Sequence, residues 1–117
     1  MTPTLVLEDG RPRLVIGSAG SVRLAGAIAQ VTWRILRGMH VSDAIRAPRM
    51  HVDGATVHLE GGWSDADAAT LPADWDVVRW EGINLFFGGV QAVERTADGA
   101  LLSAGDPRRG GVGLVVE

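Results

Sequence analysis

The chain has 117 residues, 46% of them hydrophobic and 21% charged, with a formal net charge of -3 at pH 7. Without cysteine it can build no disulfide scaffold, thiolate zinc site or cysteine nucleophile. The acidic balance argues against a nucleic-acid binder, and no apolar run approaches the roughly 20 residues of a membrane span. The length suits one domain over residues 1–117. All eleven cations are arginine, and no charged-then-apolar leader opens the chain.

In chain order, Thr4–Leu7 and Arg13–Ile16 read as paired strands turning at Asp9-Gly10, where positive φ angles are accessible. Pro12 belongs at an edge or just past the turn. Gly17-Ser18-Ala19-Gly20-Ser21 reads as a small-residue structural turn. After it, Val22 to Arg37 has helical spacing, with Val22, Ala25, Ile28, Ala29, Thr32 and Ile35 or Leu36 on one stripe. Ser21 is placed as its N-cap and Gly38 as its stop. Val41–Arg46 forms a second, short helix ended by Ala47-Pro48.

Arg49–Val52 and Ala55–Glu60 read as extended, turning at Asp53-Gly54. In the second run Ala55, Val57 and Leu59 face one way, and Thr56, His58 and Glu60 the other. Ser64-Asp65-Ala66-Asp67 has the form of a capping box and opens a helix of two turns before Leu71-Pro72. Strands follow at Asp76–Trp80, Val90–Arg95 and Ala100–Ala104, the last two turning at Ala97-Asp98-Gly99, and a short strand closes the chain at Leu114–Val116. This order predicts an α+β fold of mainly antiparallel strands, with two to three helices on one face of a sheet.

The segment entering the first helix has the clearest site logic. A helix start offers unpaired N–H groups and a positive dipole end, suited to a carboxylate, phosphate or oxyanion. The turn has neither a Walker lysine nor a complete dinucleotide fingerprint, and taken alone it reads first as a plain strand-to-helix connection and only second as an anion site. His40, His51 and His58 lack the spacing of a metal pair and read as surface or strand-face residues; no metal or cofactor is expected. The pairs Asp65/Asp67 and Asp74/Asp76 read as capping and loop groups. Trp63, Trp75, Trp80 and Phe86-Phe87 read as core or subunit contact. Ser18 and Ser21 have no recognisable base, so the residues alone contain no complete catalytic set.

Several stretches, in order along the chain, resemble the C-terminal part of the small subunit of γ-glutamyltransferases, also called glutathione hydrolases. Met1-Thr2-Pro3-Thr4 resembles the family's Met-Ser-Pro-Thr, and Gly17-Ser18-Ala19-Gly20-Ser21 its Gly-Ser-Pro-Gly-Gly turn. Ala44, Ala47-Pro48-Arg49 and His51 resemble Ala-x-x-Ala-Pro-Arg-x-His. Gly89-Val90-Gln91-Ala92-Val93 resembles Gly-Ser-Val-Gln-Ala-Val, and Asp106-Pro107-Arg108-Arg109-x-Gly111 the closing Asp-Pro-Arg-Arg-x-Gly.

The resemblance implies part of an N-terminal-nucleophile (Ntn) hydrolase αββα sandwich. It implies a self-cleaving precursor whose new N-terminal threonine attacks the γ-glutamyl amide, activated by its own α-amino group. Gly20 and Ser21 match the turn whose backbone N–H groups form the oxyanion hole. Ala19 stands for the turn proline and Ser21 for the second glycine. The family's paired serines and its threonine precede the matched stretches, its carboxylate-binding arginine belongs to the large subunit, and none of Thr2, Thr4, Thr32, Thr56, Thr70 or Thr96 matches the nucleophile.

The expectation is therefore a γ-glutamyltransferase-like fragment, inactive alone, that adds an oxyanion turn when a partner chain supplies the threonine segment and the large subunit. The alternative is a non-catalytic module of the same fold that self-associates or binds another protein through an uncovered apolar face or strand edge. A third reading is a small-anion binder at the Gly17–Val22 helix start.

Overall fold

The computed structural model describes residues 2–20 and 22–117. Strands β1 (Thr4–Glu8) and β2 (Arg11–Ala19) are antiparallel and joined by Asp9 and Gly10, with φ of 52° and 73°. Two consecutive positive φ values give a turn whose twist matches that of the strands it joins. The pairing slips between Val6 and Leu7 before Pro12 enters, and the ladder to the next strand reaches back only to Leu14. Pro12 therefore lies where no partner on that side needs its missing N–H.

Helix α1 runs Leu24–Leu36, two residues later at its start than the sequence pattern predicts. Its N-cap is Arg23, which makes no side-chain capping bond; Ser21, expected in that role, lies outside the described residues. Gly38 ends the helix with φ 99°, its N–H donating to the Ile35 carbonyl. The buried stripe is Ala27, Ile28, Val31 and Ile35. Of the expected stripe only Ile28 and Ile35 are buried, because α1 is apolar on two faces and spacing alone cannot say which one meets the sheet. Helix α2 (Val41–Arg46) has the expected bounds and buries Val41, Ala44 and Ile45 beside α1.

After α2 the chain forms a second sheet from β3 (Met50–Asp53), β4 (Thr56–Leu59) and β5 (Asp76–Arg79), in the order β3-β4-β5. The β3–β4 pair is antiparallel and the β4–β5 pair parallel. Between them α3 (Asp65–Ala68) is a single turn, shorter than predicted. Both bonds of its capping box form: Ser64 Oγ accepts from the Asp67 N–H, and the Asp67 carboxylate accepts from the Ser64 N–H, each at 3.0 Å.

Strands β6 (Gly89–Arg95) and β7 (Leu101–Gly105) complete the first sheet, ordered β1-β2-β6-β7 and antiparallel throughout. Leu14 and Ile16 of β2, with Val90 and Ala92 of β6, pack under α1 and α2 to form the core. The alternate residues point the other way. Leu5 stands opposite Val15, and Val15 opposite Val93, so an apolar row crosses three strands. With Leu7 and Leu101 these side chains are 41–57% exposed. The strand expected at Leu114–Val116 does not form. Residues 111–117 leave the short 3-10 turn Pro107–Arg109 as irregular chain, and a Cβ on Gly113 would lie 2.3 Å from the Ser103 carbonyl oxygen. Backbone packed that closely leaves no space for a side chain there.

Candidate functional site

The expected turn begins later than the sequence reading placed it. Gly17, Ser18 and Ala19 are ladder residues of β2, opposite Gln91, Val90 and Gly89, because β6 supplies partners as far as Ala19. The chain leaves the sheet at Gly20, whose φ of 131° is in the region that favours glycine. A Cβ on Gly20 would lie 3.8 Å from Gly88 Cα. Ser21, the second expected oxyanion donor, lies outside the described residues.

The surroundings of Gly20 are made of close backbone approaches. Gly88 has φ 87°, and a Cβ there would meet Ser18 Oγ at 3.1 Å and Ala27 Cβ at 3.2 Å. Ser18 is buried and donates to its neighbour, the Ala19 carbonyl, at 2.9 Å, so it has no base to activate it. Gly89 lies under the aliphatic stem of Arg109, 2.3 Å from where a Cβ would stand. Arg23 ties the start of α1 to the short turn Leu85–Phe87: Nε donates to the Phe86 carbonyl at 2.6 Å, and its guanidinium lies 4.1 Å from the Phe86 ring centre.

Behind this region lies a buried network of four charged side chains to which residue reading assigned no role. Arg49, Glu60, Asp106 and Arg108 are all buried. Arg49 donates to Asp106 at 2.6 Å and to the carbonyls of Ile45 and Phe87. Arg108 donates to both Glu60 and Asp106, and to the Ile45 and Ala47 carbonyls. The remaining carboxylate capacity goes to main-chain N–H groups: Val90 and Arg108 on Asp106, Arg49 and Asn84 on Glu60. Two acids and two bases leave the cluster without net charge, the condition under which ions can be buried.

The electrostatics follow from these contacts. Burial would raise the Asp106 carboxyl, but the Val90 N–H, the Arg49 charge and the Arg108 N–H outweigh it and hold Asp106 below the usual carboxylate range. Burial lowers Arg49 most, with Asp106 opposing. Burial would also lower Arg108, yet its bonds and proximity to Glu60 raise it above the ordinary arginine value. Glu60 is the residue the strand pattern misplaced. It follows the end of β4, outside the period-two alternation, and turns inward toward Arg108. The available signal was charge inside the matched motifs Ala47-Pro48-Arg49 and Asp106-Pro107-Arg108.

The other expected residues are placed as follows. His51 and His58 are cross-strand partners, whereas His40 caps α2 by accepting the Ser42 N–H. Among the described residues no group of three or more His, Asp or Glu side chains is arranged to hold a metal ion. Trp80, Phe86 and Phe87 pack together, with ring centres 4.6–5.5 Å apart. Trp63 stands away from them, its indole N–H donating to the Arg49 carbonyl at 2.9 Å. Asp67 completes the capping box of α3, Asp65 in the same turn pairs with Arg79 at 3.2 Å, and Asp76 begins β5. No helix among the described residues is long and apolar enough to cross a membrane.

Helices on one face of a largely antiparallel sheet, with a glycine bend leading from strand to helix, define an α+β layer that fits part of an Ntn-hydrolase sandwich. In sequence, the family described as Gamma-glutamyltranspeptidase matches residues 1–116, and the chain belongs to that family. It is 33% identical over 111 residues to the glutathione hydrolase proenzyme of Escherichia coli (strain K12), covering 92% of this chain and 19% of that protein. It is 28% identical over 118 residues to the acylase ACY 1 proenzyme of Pseudomonas sp. (strain SE83), covering 99% of this chain and 21% of the relative. In structure it is similar to γ-glutamyltranspeptidase from Pseudomonas nitroreducens complexed with L-DON. The TM-score is 0.81 at 27% identity, over 100% of this chain and 62% of that one. The chain thus spans about a fifth of the length of these curated relatives.

Proposed function

We propose that this chain is the oxyanion-turn portion of a γ-glutamyltransferase-like enzyme, acting in glutathione hydrolysis or γ-glutamyl transfer and inactive by itself. The observation that carries the reading is the open apolar row Leu5–Val15–Val93, on the side of the first sheet away from α1 and α2. A sandwich needs its inner face covered, and here Leu5, Val15 and Val93 stay exposed, so the facing sheet and its helices are left for a partner to supply. The partner is a chain that carries the threonine-bearing segment and the large subunit.

In the completed site the threonine hydroxyl attacks the γ-carbonyl, and the nucleophile's own α-amino group takes the proton. The carbonyl oxygen becomes an oxyanion, and the backbone N–H groups of Gly20 and Ser21 receive it. The intermediate collapses as the amide C–N bond breaks and the leaving amine takes the proton held by the α-amino group; the resulting acyl-enzyme is then resolved by water or by an amino acid. One such donor contributes about 3 kcal/mol of transition-state stabilisation. The network of Arg49, Glu60, Asp106 and Arg108 holds Phe87 and Val90 on either side of Gly88, and so fixes the backbone that Gly20 approaches. The matching family description and the 33% identity to a glutathione hydrolase support γ-glutamyl compounds as the substrate class.

Purified chain incubated with γ-glutamyl p-nitroanilide is expected to release product at the buffer rate. Turnover above buffer overturns inactivity of the chain alone. Co-expression with a threonine-bearing segment of the family is expected to restore turnover, and Gly20→Ala, which strains the bend at φ 131° and so displaces its N–H, to lower it again. The same open face favours a second reading, a module that self-associates without catalysis. Sedimentation separates the two: a stable homodimer that never acquires activity with a threonine segment supports the second.

A further inference from the structure

A cluster of side chains that the proposed reaction does not use lies between the start of α1 and the second sheet. His51 of β3 and His58 of β4 stand directly opposite each other, their rings 6.3 Å apart and inclined by 29°. Phe86 is sandwiched between two other groups: the Arg23 guanidinium lies 4.1 Å from its ring centre, and Trp80 stacks on it at 4.6 Å. With both faces taken, the imidazoles are left with the rim of Phe86, His58 at 5.0 Å and His51 at 6.0 Å. The Trp80 indole N–H donates to His58 Nδ1 at 3.2 Å, so that nitrogen carries no proton. Arg23 Nε donates to the Phe86 carbonyl at 2.6 Å, which ties the start of α1, three residues past Gly20, into the same stack. Arg23, His51, His58 and Phe86 line an open cavity of about 500 Å³, through which solvent protons reach the pair.

These contacts suit neutral imidazoles only. A proton on His58 occupies Nδ1 and turns the acceptor of the Trp80 bond into a second donor. A proton on either ring also sets a cation against the electropositive rim of Phe86 and near the Arg23 charge. The other charged groups on this face of the sheet are Asp53 at the end of β3 and Asp76 at the start of β5. Both flank Thr56, two residues along β4 from His58. Burial lowers the His51 pKa most, Arg23 and His58 act in the same direction, and Asp53 opposes them. The closed cluster therefore takes a proton at His51 less readily than an open one, and acid below the ordinary histidine value of 6.5 favours opening. We propose that His51 and His58 form an acid-operated latch, in which protonation releases Trp80 and Phe86, unseats Arg23 and so frees the Gly20 bend. The latch needs no acyl transfer and is read on this chain alone, apart from the catalytic proposal.

The test is a titration of the full chain from about pH 8 to about pH 5, followed in ¹H–¹⁵N spectra of imidazole, indole and amide groups. The range ends above the ordinary carboxylate values, so the buried ion network keeps its charges. The Trp80 indole N–H is expected to move upfield with the midpoint of the His58 imidazole, and the Gly20 amide to shift with it. The His51 imidazole is expected to titrate below 6.5. The Trp63 indole, bonded to the Arg49 carbonyl, is expected to stay fixed. In His58→Gln, whose side-chain carbonyl accepts the Trp80 N–H without titrating, the Trp80 response is expected to vanish. Arg23→Gln is expected to keep the Trp80 response and lose that of Gly20. A Trp80 indole that stays put while His58 titrates, a His58 ring neutral to the end of the titration, or a silent Gly20 amide overturns the latch. So does a Trp63 shift equal to that of Trp80, and these wild-type readings decide the matter if a variant fails to fold.

Discussion

Arg108 and Glu60 form a fully buried ion pair held by two guanidinium bonds, and Asp106 joins Arg108 to Arg49. Removing one member leaves an uncompensated charge in the interior, which costs about 3–5 kcal/mol. Glu60→Gln preserves shape but removes the charge facing Arg108, so the unfolding free energy should fall by that amount and the urea midpoint by that amount divided by an unchanged slope. Asp106 adds a pH signature. Its folded-state pKa lies below the ordinary value of 3.8, so its contribution is complete above about pH 4 and is lost as pH falls through the folded value. The acid limb of the stability curve should therefore flatten in Asp106→Asn, measured against a wild type that weakens steadily below about pH 4. Gly88 belongs to the same scale. An alanine there must adopt φ 87° and press on Ser18 Oγ and Ala27 Cβ, so Gly88→Ala should lose about 1–3 kcal/mol in thermal unfolding.

Among the elements, those with strong local chemistry were legible in the sequence. Asp9-Gly10 fixed the first hairpin, Gly38 the end of α1, Pro48 the end of α2, and Ser64 with Asp67 the start of α3. The misreadings arose where tertiary partners override local preference. Gly17, Ser18 and Ala19 look like a turn because they are small, yet β6 offers them a ladder and they extend β2. Leu114–Val116 has strand composition, yet the chain before it is wedged against β7 at Ser103 and forms no ladder. On α1, Ala25, Thr32, Trp33 and Leu36 line an open groove of about 450 Å³, so the stripe chosen from spacing is largely the outward one. At the candidate site the location of Gly20 was legible from the motif. The four-charge network was not, because its members lie as far as 57 residues apart and no local period links them.

At the scale of the molecule, the radius of gyration is 14.9 Å, against roughly 13 Å for a closed domain of this length. The excess fits a sheet with one covered face and one open face. An exposed apolar row of this kind drives association. The chain should therefore associate reversibly at micromolar concentration, and Val93→Glu, placed at the centre of the row, should shift sedimentation to monomer without lowering the thermal midpoint. A wild type that remains monomeric at tens of micromolar would remove the open face as an interaction surface.

The ion network also constrains the order in which the chain can assemble. Arg49 waits for Asp106 across 57 residues, and Glu60 waits for Arg108 across 48. Until both arrive, Arg49 and Glu60 must remain hydrated, and Val90 lacks the carboxylate that accepts its N–H. Closing loops of this length costs only a logarithmic entropy term, but contacts so distant in sequence slow the search for the native state. Seating of the Pro107–Arg109 turn is thus expected late in folding, because only it brings Arg108 between Glu60 and Asp106 and completes the charge compensation beneath α2, β3 and β6.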